Sequence, residues 1–561
     1  MSDPAAPVVQ NEYKPAWTLL VGVLLIAAAY LFPGLVGHDP WKQDEAYSFG
    51  IIYNMYDTGD LVVPTLAADP FMEKPPAYYI TATGMVHLLD DWLPLHDAAR
   101  LTTAIYLGLA FLFTGLLAHA TWGRGYGALG VLFLISTLGL LQHGHYMITD
   151  IALTAGMAMA FYGLLRARGS VGWGGLWLGT GAGLAFLSKG LLGPGILGVS
   201  ALLLVMFRPW RTSRYAKALM VAAAVALPWL LIWPTALYLD SEELFMRWFW
   251  DNNFGRYLGF VELGPPSKDL FWLRTLPWVT FPTLLVALWT LWRRRQDAFA
   301  NDGVRVALVA SVVGWGVLFA AHTARDLYAM PLLPLLAVVA AGAVRSLPRW
   351  VVSGIYWFSA VLFGLLAAAL WALWLYGVTK GQPPQLSVLG KYLPLDFEPS
   401  WRWGAFIMAL VLQICWAWIL SRYRPGRPAA LLAWPAGLIL AWGIVATLHL
   451  PWIDHGKSYR SVFVELKQAL PAAYDCVADL REMRLRESER GMLHYVAGVT
   501  TQHIERPQDT DCDIILVEAR LRTHGADVEL GPGWRRIWEG QRPGDRRDLF
   551  VLFQRVGPSG S

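Results

Sequence analysis

Two polar clusters interrupt an otherwise greasy chain, WKQDEAY at 41–47 and FMEKPPAYY at 71–79. They hold the residue types that do chemistry: Asp44 and Glu45 in the first, Glu73 and Lys74 in the second. Carboxylates and a lysine beside a membrane surface are costly unless solvated or paired, which makes them candidates for work rather than packing. A carboxylate here can act as general base towards a nucleophile or bind a cation. A lysine held in place suits a phosphate headgroup, and Pro75 and Pro76 stiffen the chain directly after it. Plainer roles fit the same residues. Asp44 and Glu45 also suit the first turn of a helix through EAYSFGIIYNMY, and Lys74 also suits a lysine reaching for the membrane interface.

Further along the chain, Asp150, Lys189, Arg256, Arg325 and Tyr328 extend this into an anion-binding inventory. His143 and His145, together with acids such as Glu73, are candidate ligands for a divalent metal, although no HExxH or comparable spacing accompanies them. The sequence fixes no cofactor, and a divalent metal is the open case.

These residues are positioned by a membrane scaffold. With 56% hydrophobic and only 15% charged residues, the chain is far from the balance of a soluble domain. Apolar runs able to cross a bilayer recur from Trp17 almost to Trp452. Thirteen spans are expected, near 17–35, 100–121, 126–142, 147–167, 172–188, 190–207, 215–236, 271–292, 303–321, 326–343, 350–376, 404–421 and 430–450. The short apolar stretch 77–89 is read as an amphipathic helix lying along the surface. With that choice Arg124, Arg166 and Arg168, the cluster 208–217, the run 293–295, Arg345 and Arg349, and Arg422 to Arg427 fall on one side, which the positive-inside rule makes cytoplasmic. The opposite face receives the loop 36–99, the turn 143–150, Lys189, the long loop 237–270 and residues 322–326. The net charge of +4 is an orientation signal of this kind and no nucleic-acid footprint, which would need a clustered basic face.

Residues 1–450 therefore read as a transmembrane domain with a cytoplasmic N-terminus, and 451–561 as a soluble extracytoplasmic domain. In the latter, 458–470 has helical spacing, while 476–480, 512–519 and 548–556 read as strands of a small α/β unit. Cys476 and Cys512 open two of these strands, either as a disulfide or as two buried thiols.

The succession DEAYSF, EKPP, the TD pair at 149–150 and RDLYAMPLLP at 325–334 resembles the C-type glycosyltransferases, integral membrane enzymes that take a sugar from a polyprenyl phosphate. Within that superfamily it is similar to the aminoarabinose lipid A transferases and the protein O-mannosyltransferase-like group. The resemblance implies Asp44 as the leading catalytic residue with Glu73 as acid partner or cation ligand. It implies Lys74, Arg256 and Tyr328 on the donor phosphate, and Glu45, Tyr47, Asp150 and Lys189 as further cavity residues. Two departures stand out. Tyr47 occupies a place where aminoarabinose transferases usually carry an arginine, and Asn252-Asn253 stand where a histidine is usual.

A lipid-phosphate leaving group needs mainly positive charge to stabilise it as the glycosyl bond breaks. Attack from the opposite face by an acceptor near Asp44 is a single displacement with inversion. The expectation is an inverting transferase in a bacterial inner membrane, its C-terminal domain periplasmic. The donor would be a polyprenyl-phosphate sugar and the acceptor lipid A, with another glycan or a protein such as a pilin as alternatives. A lipid-linked sugar flippase shares the many spans, but it calls for broken helices at matching positions, a pattern not read in this sequence.

Overall fold

A computed structural model describes residues 17–261, 270–524 and 527–556. The expected cytoplasmic N-terminus, residues 1–16, and part of the long loop, 262–269, lie outside the described residues.

The membrane part is helical. Among the described residues, six helices are long and apolar enough to cross a bilayer: Leu95–Trp122, Ser213–Asp240, Asp302–Ala320, Arg349–Lys380, Trp403–Arg422 and Pro428–Ala469. A bent pair, Phe271–Val279 with Thr283–Arg293, makes a seventh. By length and composition this is fewer than the thirteen spans expected: four of the expected runs fold as shorter apolar helices, and Thr149–Ala167 and Val171–Lys189, 19 residues each, are too weakly apolar to be counted. The run 126–142 splits into Tyr126–Ile135 and Leu138–His143, and the bent pair turns by 89° at Phe281-Pro282. The two breaks meet. Leu138 N–H donates to Phe281 O at 2.9 Å, the Thr137 and Thr283 hydroxyls lie 2.7 Å apart, and the Trp434 indole donates to Ser136 O at 3.0 Å. Backbone freed at each break is thus satisfied within the protein, the condition for irregular chain at membrane depth.

Small residues allow close helix packing. Helices Thr149–Ala167 and Val171–Lys189 approach so tightly that a Cβ on Gly163 would lie 2.3 Å from Leu178 N. On the other face of the second helix, a Cβ on Gly179 would lie 2.4 Å from Ala222 O of Ser213–Asp240. Without a hydrophobic force between helices in lipid, such backbone proximity is what dispersion packing requires.

The loops sort to two ends as the charge pattern predicts. At one end Arg168 pairs with Asp302, Arg294 lies 4.9 Å over Trp122, and Arg345 lies 5.9 Å over Tyr126. At the other, loop 36–99 forms helix Asp44–Thr58, a short hairpin of Thr65–Leu66 with Asp69–Pro70, and helix Ala77–Leu89. The last is the short apolar stretch, and at 13 residues it is too short to span.

The C-terminal region is built on a five-stranded sheet in the order Thr501–Ile504, Val477–Leu480, Ile514–Arg520, Asp548–Arg555, Trp534–Gly540. The first three strands run parallel and the last two antiparallel. Alternation along the strands splits its two faces. Leu516, Phe550 and Leu552 join Phe463 in the core shared with the membrane part, whereas Ile515, Val517, Val551 and Phe553 form a second core. Cys476 and Cys512 are joined as a disulfide, closing one of the two readings left open by the sequence.

This region is fastened to helix Asp44–Thr58. Helix Glu487–Ala497 packs against it, and a Cβ on Gly50 would lie 2.8 Å from Gly491 Cα. Ser488 Oγ donates to Gln43 O at 3.0 Å, and Lys42 binds Glu489 at 2.8 Å and Asp548 at 3.2 Å. Asp39 pairs with Arg460 and accepts from Ser458 Oγ, and the Trp41 indole donates to Asp454 at 2.9 Å.

Candidate functional site

The helix Asp44–Thr58 begins at the two acids, and its first turn sends them in opposite directions. Glu45 turns inward. It is 3% exposed, accepts the Trp41 backbone N–H at 3.1 Å and binds the wholly buried Arg100 at 2.8 Å. Arg100 also holds Asp97 at 2.8 Å and donates to the carbonyls of Leu35 and His38. Glu45 is therefore spent on anchoring the loop and does not line the cavity.

Asp44 faces a cavity of about 970 Å³ that opens between the membrane helices and the C-terminal region. Arg325 grips both its carboxylate oxygens, one at 2.9 Å. The Tyr47 hydroxyl donates to Asp44 Oδ1 at 2.7 Å and accepts from Lys74 Nζ at 2.5 Å. Where the resembling enzymes carry an arginine, this phenol bridges the acid and the lysine. Burial works against ionisation of Asp44, but the charges of Lys74 and Arg325 and the bonds from Arg325 and Tyr47 outweigh it and hold the carboxyl well below the usual range. Burial likewise opposes charge on Lys74, and the neighbouring Glu73 and Asp44 reverse the sign, keeping it an ammonium. Burial together with Asp44 keeps the Tyr47 phenol protonated.

The chain of contacts continues. Lys74 lies 4.0 Å from Glu73, Glu73 pairs with Arg256 at 2.7 Å, and Arg256 donates to Tyr328 Oη at 3.4 Å. Burial is overcome at Glu73 by Lys74 and Arg256, which depress its pKa. Arg256 follows the π-helical segment Arg247–Gly255, a local overwinding often found at functional positions. Behind Tyr328, Lys189 pairs with Asp150 and lies 3.9 Å over the Tyr328 ring. Asp44, Tyr47, Glu73, Arg256, Arg325 and Tyr328 line the cavity, whereas Lys74, Lys189 and Asp150 support it from behind. Asp150 is 1% exposed on its side chain.

The metal candidates do not assemble. His145 is buried, with Nε2 2.7 Å from Tyr30 O and its ring stacked on Trp442 at 4.5 Å, and Glu73 is taken by Arg256. His143 stands 3.3 Å from Asp326. No group of three or more His, Cys, Asp or Glu able to hold a metal occurs among the described residues.

Two sets of residues reach the site from places the sequence did not mark as central. Arg325 reads as one more anion-binding arginine, yet it is the bidentate partner of Asp44. Arg484, Arg486, Ser488, Arg490 and His503 of the C-terminal region also line the cavity. The signal for Arg325 was its place directly before DLYAMPLLP, and nothing in the sequence pointed to the C-terminal wall.

The fold and the sequence have known counterparts. A family model described as dolichyl-phosphate-mannose-protein mannosyltransferase matches residues 16–249. The undecaprenyl phosphate-alpha-4-amino-4-deoxy-L-arabinose arabinosyl transferase of Serratia proteamaculans is 27% identical over 374 residues, covering 63% of this chain and 63% of the relative. Its counterpart in Aeromonas hydrophila is 29% identical over 45% of this chain and 47% of the relative. The matched stretches thus span less than two thirds of these relatives' length. Among solved structures, ArnT from Cupriavidus metallidurans bound to undecaprenyl phosphate superposes with a TM-score of 0.68 at 16% identity, covering 96% of this chain and 98% of that one. The chain therefore has the fold of the ArnT structure, and aminoarabinose transferases are among its sequence relatives.

Proposed function

We propose that this protein is an inverting glycosyltransferase that moves a sugar, of the aminoarabinose type, from a polyprenyl phosphate to lipid A on the periplasmic side of the inner membrane. The reading rests on one observation above all: Asp44 opens onto a large cavity beside an ordered array of cations, Lys74, Arg256 and Arg325. The relatives' names point to the same donor and sugar.

In this reading the donor's phosphate lies against Arg256 and the Tyr328 hydroxyl, with Lys74 adding charge from behind. These groups are preorganised, so they stabilise the phosphate as the C–O bond breaks without reorganising at that moment. The acceptor enters on the opposite face of the sugar, next to Asp44 and Arg325. A carboxylate held so far below its usual range is a weak base. It suits a nucleophile that needs little deprotonation, such as a phosphate oxygen, better than a serine or threonine hydroxyl. Arg325, shared between Asp44 and the incoming anion, would offset their repulsion. This favours a phosphorylated acceptor over a protein such as a pilin. The flippase alternative gains little from the broken helices, because their breaks face each other and not the cavity.

The orientation that goes with this function puts the basic-loop end in the cytoplasm and the cavity and C-terminal region in the periplasm, an oxidising compartment suited to the Cys476–Cys512 disulfide. The test is mass spectrometry of lipid A and of the polyprenyl-phosphate pool in cells carrying the active protein or Asp44→Asn. The expected result is a sugar-sized addition on lipid A that disappears in the variant while donor lipid accumulates. Unchanged lipid A and an unchanged donor pool would overturn the reading.

A further inference from the structure

The cavity is larger than one sugar phosphate needs. Its roughly 970 Å³ sits at the upper end of the range of about 300–1,000 Å³ typical for an entire drug-sized ligand. Its cations are not equivalent. Lys74, Arg256 and Arg325 are matched against Asp44 and Glu73. On the C-terminal wall Arg486 is taken by Glu518 and Asp548, and Arg490 by Asp69. Arg247 and Arg484 differ from all of these. Both line the cavity, both are exposed, and among the described residues neither has a carboxylate partner.

They come from two different elements that line the same cavity. Arg247 opens the π-helical segment whose far end leads into Arg256. Arg484 precedes helix Glu487–Ala497, whose first residues, Glu487 and Ser488, also line the cavity. An unmatched guanidinium binds phosphate through two parallel N–H bonds, a geometry lysine cannot offer. The cavity lining also includes Asp251, from the segment of Arg247, and Glu487, from the helix after Arg484, both without a cationic partner among the described residues. Unpaired carboxylates in the same lining repel a bare polyanion, but they accept from hydroxyls, so the mixture fits a phosphorylated saccharide.

We infer that Arg247 and Arg484 form an acceptor subsite, separate from the donor site, that holds a phosphate of a phosphorylated saccharide while Asp251 and Glu487 accept from its hydroxyls. The inference rests on the transferase reading and deepens it. It makes the C-terminal region a determinant of acceptor choice.

The test uses the full-length protein in nanodiscs, with Arg247→Gln, Arg484→Gln and Arg484→Lys variants. The probes are lipid A and its dephosphorylated form. Acceptor KM and, without donor, direct acceptor binding are measured together with donor KM. Each Gln variant is expected to weaken phosphorylated lipid A about tenfold in both KM and binding, as loss of one charge-assisted bond implies. Donor KM and the affinity for dephosphorylated lipid A should not move, and Arg484→Lys should restore part of the loss. An unchanged acceptor KM and binding in both Gln variants would overturn the inference. So would equal losses for the two probes, or a change confined to donor KM. A wild-type protein that transfers no sugar would defeat the transferase reading, while the direct binding comparison would still decide whether the arginines hold the phosphate.

Discussion

Arg325 reaches across 281 positions of sequence to hold both carboxylate oxygens of Asp44. Two arginine N–H groups on one carboxylate fix its plane as well as its charge. Asp44 thereby keeps one orientation towards the cavity, and its negative charge is balanced before any substrate arrives.

Arg325→Gln should lower kcat by about a hundredfold or more, the scale of losing a preorganised charge contact in an active site. Arg325→Lys should recover only part, because a single ammonium cannot reproduce the fork. Steady-state transfer assays with a polyprenyl-phosphate sugar and lipid A measure both, and wild-type kcat in Arg325→Gln would remove Asp44 orientation from the mechanism.

Tyr47→Phe deletes the hydroxyl that links Asp44 with Lys74. The buried ammonium then loses a hydrogen bond worth about 1.5–3 kcal/mol at a charged group, so kcat/KM should fall by roughly ten- to a hundredfold. The fold should survive, because the ring and its 5.3 Å contact with Phe71 remain. Thermal melting in detergent alongside the kinetics separates the two effects.

Arg100→Gln attacks the other acid. It strips the charge partner from Glu45 and Asp97 in a wholly buried setting, and removing one member of a buried pair costs about 3–5 kcal/mol. The expected outcome is a much lower Tm, with donor KM unchanged in the fraction that remains folded. Glu45→Gln should behave in the same way, more mildly. A variant that keeps its Tm but loses activity would return Glu45 to the cavity.

Glu518 should contribute a stabilisation that falls as the pH is raised from about 4.5 through 7. Burial pushes this carboxyl up to about 7, and the neighbouring Glu489 adds to the rise although Arg486 opposes it. The folded state thus holds a proton that the unfolded chain has already released above about 4.5, the ordinary range of a glutamate. By linkage the stabilisation is complete below that range and is lost as the pH passes through the folded value. Neighbouring Asp548 is shifted the other way, with burial outweighed by Lys42 and Arg486, and its contribution is lost only in more acid solution. His38, pushed down to about 4 by burial and by Arg100, contributes with the opposite sign over much of this range, so the effect of Glu518 is read as the difference between wild-type and Glu518→Gln melting curves from pH 5 to 8.

Much was written in the sequence because it depends on local chemistry and on the bilayer. Long apolar runs have few outcomes in lipid, and arginine-rich loops share one end, so the membrane class and the grouping of the basic loops could be read directly. The strand periodicity at 514–520 and 548–555 and the helix at 460–469 were legible for the same local reason. Spacing also put Asp44 at the start of a helix and Glu73 and Lys74 before a stiff turn.

What the sequence by itself could not decide was partnership, because partners distant in the chain leave no periodic signature. Asp44 and Glu45 are adjacent and chemically alike, yet one meets Arg325 at the cavity and the other meets Arg100 in the core. A helix turns by about 100° per residue, and only the packing around it determines which acid faces solvent. The breaks at Thr137 and Pro282, the refusal of His145 to join a metal cluster, and the C-terminal wall of the cavity with Arg484 are likewise tertiary outcomes. Each depends on which surfaces the folded chain brings within a few ångströms, the range over which hydrogen bonds and buried charges act.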